Sequence, residues 1–427
     1  MPNSFKECLA PRSSTIAFTN MVSLKLVSWL MAAPAIFRTT TAVPFSQLSH
    51  KEKRADPIAP KVFLIDMFAP EAEVWYGIPE FDVLAQNITI PGFSPLFPEA
   101  HCTANGDICQ MVTGESEINA ASSVMALVFS GYFDLTKTYF MIAGIAGVNP
   151  QVATTGAVTF AKYAVQVTLQ YEFDAREIPA NFSTGYVPLG AYSPTQYPQN
   201  IYGTEVFEVN EALRDIAVSF ASTAALNDTS EAQAYRALYT PAAAYAAGAA
   251  APTVVACDVA TSDVYYSGTL LSEAFENTTT LFTNGSGVYC TTAQEDNATL
   301  EALLRSTVQN LTDFSRIIIM RTASDFDRPP PGVSDIDNLL YADQGGFEPA
   351  ITNIYLAGVK VVEGILNGWD ATFEAGIKAP NYIGDIFETL GGVSDFVLPA
   401  EFIAKRSVDE SAKKRTRRVA VPRGMSM

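Results

Sequence analysis

Short apolar runs alternate along this chain with polar segments whose apolar residues recur at helical spacing. Residues 61–66 (Lys-Val-Phe-Leu-Ile-Asp) form a β-branched apolar run that predicts a first core strand. Residues 109–113 predict a second strand ending at Gly114, and 118–129 carry the spacing of a helix. A third strand is expected over 139–143, broken by Gly144-Ile-Ala-Gly147, with one or two more over 155–169. Helices are predicted over 211–225 and 230–239, strands over 254–256 and 288–291, and a helix over 300–311. A strong strand over 316–320 and a last helix over 351–367 complete the pattern. Strands alternating with helices over this length predict an α/β fold, a three-layer α/β/α domain with a central mixed sheet. The Ala-rich run 241–252 is assigned as neither helix nor loop, because low complexity alone does not decide it.

Composition adds a core and a charge pattern. Of 427 residues, 48% are hydrophobic, ample for a buried interior. The net charge of −18 is uneven: residues 55–404 hold 41 acidic and 12 basic side chains, whereas 405–427 hold eight basic and two acidic. An acidic body repels nucleic-acid backbones and anionic membranes, so neither is an expected partner. Three parts follow: a leader, signal and pro-segment over 1–54, the α/β domain over 55–404, and a basic, disordered tail over 405–427. Within the leader, Lys25, the apolar stretch 26–37 and Thr40-Thr-Ala42 read as a secretory signal, with Met21 as a candidate start. Lys53-Arg54 resembles a dibasic processing site. No later segment reads as a transmembrane helix, which needs ~20 apolar residues.

Export agrees with two further features. Seven Asn-x-Ser/Thr sequons occur, at Asn87, Asn181, Asn227, Asn277, Asn284, Asn297 and Asn310. Beyond the leader stand four cysteines, which allow three pairings; we favour Cys102–Cys109 and Cys257–Cys290. A secreted or cell-surface, N-glycosylated protein is expected. His101 is the one histidine after the leader, so neither a Ser-His-Asp triad nor a histidine-based metal site is expected.

The chemistry centres on Arg321-Thr-Ala-Ser-Asp325, where an apolar strand delivers a carboxylate into what the sequence presents as a loop. Read with Asp66-Met-Phe-Ala-Pro-Glu-Ala-Glu73, Thr113-Gly-Glu-Ser-Glu-Ile-Asn-Ala-Ala121, Gly144-Ile-Ala-Gly147, Thr261-Ser-Asp-Val-Tyr265 and Gln294-Glu295, it resembles the nucleoside phosphorylase and nucleosidase superfamily. Leu96-Phe-Pro-Glu-Ala-His-Cys102 and Thr291-Thr-Ala-Gln-Glu-Asp-Asn-Ala-Thr-Leu300 make the chain more similar to the purine nucleoside permease family. The resemblance spans roughly residues 60–395 and implies a nucleoside phosphorylase-like fold without a cofactor. It implies purine nucleosides as ligands, Asp325 as the acid that protonates the departing base, and Asp327 as the fallback. Glu295 would bind the ribose hydroxyls and Tyr265 would lie against the purine. Glu71 and Glu73 would hold the attacking water, with Asp66, Asp263, Gly144, Ala146 and Gly147 lining the substrate.

Asp66 and Ile145 depart from the superfamily, which often has glycine and a small hydroxyl residue there. No Lys or Arg occurs from Val62 through Thr136, the region of the superfamily's early phosphate ligands. Carboxylates repel phosphate and suit a held water, so hydrolysis is favoured over phosphorolysis, with Arg176 as a distant base that could compensate. An exported purine nucleosidase is the first reading. A nucleoside-binding protein that assists transport beside a separate membrane transporter is the second. A homo-oligomer is compatible with either.

Overall fold

The computed structural model describes residues 56–395; the expected leader and basic tail lie outside them. In chain order the strands are β1 (Val62–Asp66), β2 (Gln86–Thr89), β3 (Glu99–Cys102), β4 (Ile108–Val112), β5 (Tyr139–Val148), β6 (Val158–Ala161) and β7 (Tyr163–Gln166). They continue as β8 (Tyr171–Glu172), β9 (Tyr186–Val187), β10 (Val206–Glu208), β11 (Val254–Ala256), β12 (Asp258–Thr261), β13 (Tyr289–Ala293), β14 (Ile317–Phe326) and β15 (Gly384–Asp385). The helices are α1 (Ala69–Glu73), α2 (Glu117–Phe129), α3 (Glu211–Ala221), α4 (Ser230–Arg236), α5 (Thr269–Phe282), α6 (Asp296–Val308) and α7 (Phe347–Asn367).

Successive side chains of a strand point to opposite faces, and both faces of the central strands are apolar. Phe63 and Ile65 of β1, Phe140 and Ile142 of β5, and Ile317 and Ile319 of β14 pack with Val124 and Leu127 of α2 and Leu300 and Leu303 of α6. Their alternates Val62, Leu64, Tyr139, Met141, Ile318 and Met320 pack with Leu213 and Ala217 of α3 and Ile354 and Val362 of α7. The fold is therefore the mixed α/β, three-layer arrangement that the sequence predicts. Helix α7 is long and apolar enough to cross a membrane by length and composition, but its buried face is part of this core.

Most of the strands join one sheet. Strand β1 lies parallel between β4 and β5. On the far side of β5, β14 is parallel to it, and β6 is antiparallel to β14. Only Lys162 separates β6 from β7, which is followed by parallel β12 and β13. Strand β13 returns antiparallel to the end of β5, so β5, β14, β6–β7, β12 and β13 form a closed circuit.

The first half of β5 pairs with β1, and its last residues, Gly147 and Val148, pair with β13. Gly144 and Gly147 therefore do not break the strand as expected: β14 and β13 supply its hydrogen-bond partners beyond β1. Strand β14 likewise runs on to Phe326, which places Asp325 inside a strand and not in a loop after one. The register shifts between Ala323 and Asp325, a bulge that leaves Ser324 extra and sets Asp325 opposite Gly147.

Both favoured disulfides are present. Cys102 and Cys109 are cross-strand partners in β3 and β4, and Cys257–Cys290 ties the start of β12 to β13. The sequon at Asn297 is buried inside α6, where its side-chain amide donates to the carbonyl of Thr204 at 2.7 Å. That position cannot hold a glycan in this fold, so not all seven sequons are usable. Asn87, Asn181, Asn284 and Asn310 are exposed.

Candidate active site

The stretch of β5 from Gly144 to Gly147 carries a polar cluster at each end. At the Gly144 end stands Glu71. Pro70 opens α1, where its missing N–H costs nothing, and Glu71 follows in the first turn. Its carboxylate turns back to accept from the Met67 N–H at 2.7 Å and reaches across to the Ile145 N–H at 2.7 Å. Burial pushes Glu71 up to about 8, against the pull of Arg321. Gly144 is required beside it: a Cβ there would lie 1.9 Å from Met67 Cε and 2.7 Å from both Arg321 Nη1 and Glu71 Oε1.

Arg321, only 2% exposed, is the hub of this end. Its Nη2 donates to Asp296 at 2.8 Å and to Glu295 at 3.2 Å, its Nε to Asp296 at 3.3 Å, and its Nη1 to the Ile145 carbonyl at 3.1 Å. Glu295 stands at the N-cap of α6, 4% exposed, and its other oxygen accepts from the Ser116 N–H at 2.9 Å. Burial raises its pKa while Arg321 pulls it down. Ser116 makes this contact from a backbone φ of 81°, which is strained for a residue with a side chain. Its hydroxyl donates to Asp263 at 2.5 Å, and Asp263 also accepts from the Glu117 N–H at 2.9 Å. Glu117 accepts from Gln166 and is pushed up to about 7 by burial and by Asp263.

The same loop carries Tyr265 to the Gly147 end. Its hydroxyl donates to Asp325 Oδ2 at 2.9 Å, and the Ser324 hydroxyl donates to Asp325 Oδ1 at 2.7 Å. Burial raises the pKa of Asp325, these two hydrogen bonds oppose it, and neighbouring Asp327 adds to the rise. A Cβ on Gly147 would stand 2.4 Å from Thr292 Oγ1 and 3.5 Å from Asp325 Oδ2, so glycine keeps the space beside the acid open. At about 3.3 Å per residue, the two ends lie about 10 Å apart along the strand, roughly the span of a purine with its sugar.

Of the expected site residues, Asp325, Tyr265, Glu295, Glu71, Asp263, Gly144, Ala146 and Gly147 fall in this stretch or on its rim. Three others do not. Glu73 is exposed, because two residues along a helix turn the side chain to the opposite side from Glu71. Asp66 is fully buried, accepting from Gln110 at 2.7 Å and Trp75 at 3.4 Å, and contributes to packing between β1, β4 and α1. Asp327, the fallback acid, is buried in an ion pair with Arg328, with both bonds at 3.0 Å, and accepts from Tyr289 at 2.8 Å. Arg176, the distant base, is an exposed partner of Asp174 and takes no part.

Arg321 and Ser116 received no role from the sequence, although one signal pointed to Arg321. A charged residue inside an otherwise buried apolar strand requires a partner, and here it has two carboxylates and a carbonyl. The chemistry available is a carboxyl group whose pKa burial raises and a buried carboxylate–guanidinium cluster.

The family model described as purine nucleoside permease matches residues 59–378. A purine nucleoside permease of Candida albicans is 49% identical over 343 residues, covering 79% of this chain and 83% of that protein. A probable purine nucleoside permease of Schizosaccharomyces pombe is 39% identical over 357 residues, covering 82% of this chain and 99% of that protein. A solved structure of the 5′-methylthioadenosine/S-adenosylhomocysteine nucleosidase of Neisseria meningitidis, in complex with methylthio-immucillin-A, is similar over 72% of this chain and 99% of that one. Its identity is 15% and its TM-score 0.41. By the extent of the family match and the identity to two fungal relatives, this chain belongs to the purine nucleoside permease family.

Proposed function

We propose that this protein binds a purine nucleoside along Gly144–Gly147 and hydrolyses its N-glycosidic bond. The observation that carries the reading is the commitment of Arg321: four of its five N–H donors go to Glu295, Asp296 and the Ile145 carbonyl, and the two carboxylates offset its charge, which disfavours a phosphate nucleophile there. Water is the nucleophile that suits such a site. Asp325, whose pKa burial raises, donates a proton to the purine as the bond from the sugar to the base breaks. Glu295 accepts from the ribose hydroxyls and stabilises the cationic sugar. Glu71 orients the water and takes its proton as the oxygen bonds to the sugar carbon. The products are free base and ribose.

The reading includes export. The secretory pattern over 21–42, the two disulfides and the exposed sequons support a secreted or cell-surface glycoprotein. The second reading, a nucleoside-binding protein that assists uptake, is favoured by the name its relatives carry and requires a separate membrane transporter.

The deciding experiment incubates the purified protein with adenosine, guanosine and inosine, with and without phosphate, and separates the products. Free base without phosphate is expected. Base that forms only with phosphate, together with ribose 1-phosphate, overturns hydrolysis, and binding without turnover selects the transport reading.

A further inference from the structure

Both oxygens of Asp325 accept hydrogen bonds, and the two partners differ in how firmly they are held. Ser324 belongs to the same strand and its hydroxyl lies 3.1 Å from the Ala146 carbonyl of the neighbouring one, so it stays with the sheet. Tyr265 stands on the loop that follows β12, 63% exposed as a residue, with its hydroxyl reaching the acid. The loop around it is pinned. Ser262 donates its N–H to the Ala293 carbonyl at 3.0 Å, Asp263 holds Ser116, and Gly268 donates to the Asp327 carbonyl at 2.8 Å. Tyr266 is buried with its hydroxyl 2.9 Å from that of Tyr289. The Tyr265 side chain thus projects from a fixed backbone, and turning about its own side-chain bonds would move its hydroxyl off the acid.

The oxygen that Tyr265 holds is Oδ2, the one beside the space that Gly147 leaves open. A purine nitrogen that receives the proton of Asp325 must approach through that space and displace the tyrosine hydroxyl. We propose that Tyr265 is a latch: its hydroxyl holds Asp325 Oδ2 and is displaced by an incoming purine, so that nucleoside binding itself frees Asp325 to donate. This inference rests on the nucleoside reading of the site.

The latch couples binding to protonation. A hydroxyl that donates to a carboxylate favours its ionised form, so removing it on binding raises the pKa of Asp325 and draws in a proton. The other titratable groups near Asp325 stay as they are: Asp327 is neutralised by Arg328, Tyr289 is bonded to Asp327, and Tyr235 and Tyr239 are uncharged phenols on and just after α4. β5 contributes no charged side chain along its length.

The test is calorimetric titration of wild type and Tyr265→Phe with adenosine and inosine, in two buffers of different ionisation enthalpy. Phenylalanine keeps the ring and deletes the latch. One hydrogen bond no longer has to be broken, so the variant binds about five-fold tighter, equivalent to ~1 kcal/mol, and takes up fewer protons than wild type. The advantage disappears in an Asp325→Ala background. Equal or weaker binding by Tyr265→Phe, with wild type binding normally, overturns the latch and leaves the nucleoside reading standing. Absence of any nucleoside binding by wild type overturns both.

Discussion

Replacing Arg321 with methionine asks whether one cation holds the Gly144 end together. The variant keeps much of the side-chain volume but leaves Glu71, Glu295 and Asp296 without their shared counter-charge, in a place where Arg321 is 2% exposed. Removing one partner of a buried ion pair costs about 3–5 kcal/mol, because the charge left behind stays uncompensated. The cost depends on pH. Glu71 in the folded protein titrates at about 8 against an ordinary 4.5, so its contribution to stability is complete below 4.5 and is lost as pH rises through about 8. Arg321 opposes that rise, and without it the folded pKa moves higher still, which deepens the loss on the alkaline side. At about pH 5, Glu71 is protonated and no longer repels Glu295, and the deficit shrinks. Urea unfolding of both proteins at about pH 5 and pH 8.5 measures this. A deficit of about 4 kcal/mol is expected at the higher pH and roughly half of that at the lower. A variant as stable as wild type at pH 8.5, or one with the same deficit at both, refutes the reasoning.

Three further outcomes are expected. Asp325→Asn keeps the shape of the acid but not its proton, so turnover falls by about 10²–10⁴-fold while nucleoside binding measured by calorimetry is largely retained; unchanged turnover removes Asp325 from the mechanism. Gly144→Ala forces a methyl group against Met67, Arg321 and Glu71, and thermal unfolding should report a loss of about 1–3 kcal/mol together with impaired cleavage; wild-type stability and turnover in this variant contradict the close packing. Glycopeptide mass spectrometry of the protein passed through a eukaryotic secretory pathway should find Asn297 unoccupied and Asn87, Asn181, Asn284 and Asn310 open to modification, whereas a glycan on Asn297 contradicts its burial.

The elements were legible wherever periodicity was strong. Strands β1, β4 and β14 and helices α2 and α7 begin within a few residues of where the apolar pattern puts them. Helix α5 went unread, because Thr269–Phe282 is rich in threonine, a poor helix former. The glycines of β5 misled in the opposite sense. Local rules make Gly144 and Gly147 strand breakers, yet the strand continues because β14 and β13 pair with it.

By itself the sequence determined the alternation that buries both faces of the sheet, the acidic body and the carboxylate of Asp325. Those features depend on residue type and near neighbours. Which carboxylates meet, and in what state, only the tertiary structure decided. Glu71 reaches Ile145 across 74 residues, Ser116 reaches Glu295 across 179, and Tyr265 reaches Asp325 across 60. One turn of α1 buries Glu71 and exposes Glu73, and one ion pair removes Asp327 from the chemistry. The physical reason is that burial and partnership set the charge of a carboxyl group, and both are supplied by residues far away along the chain.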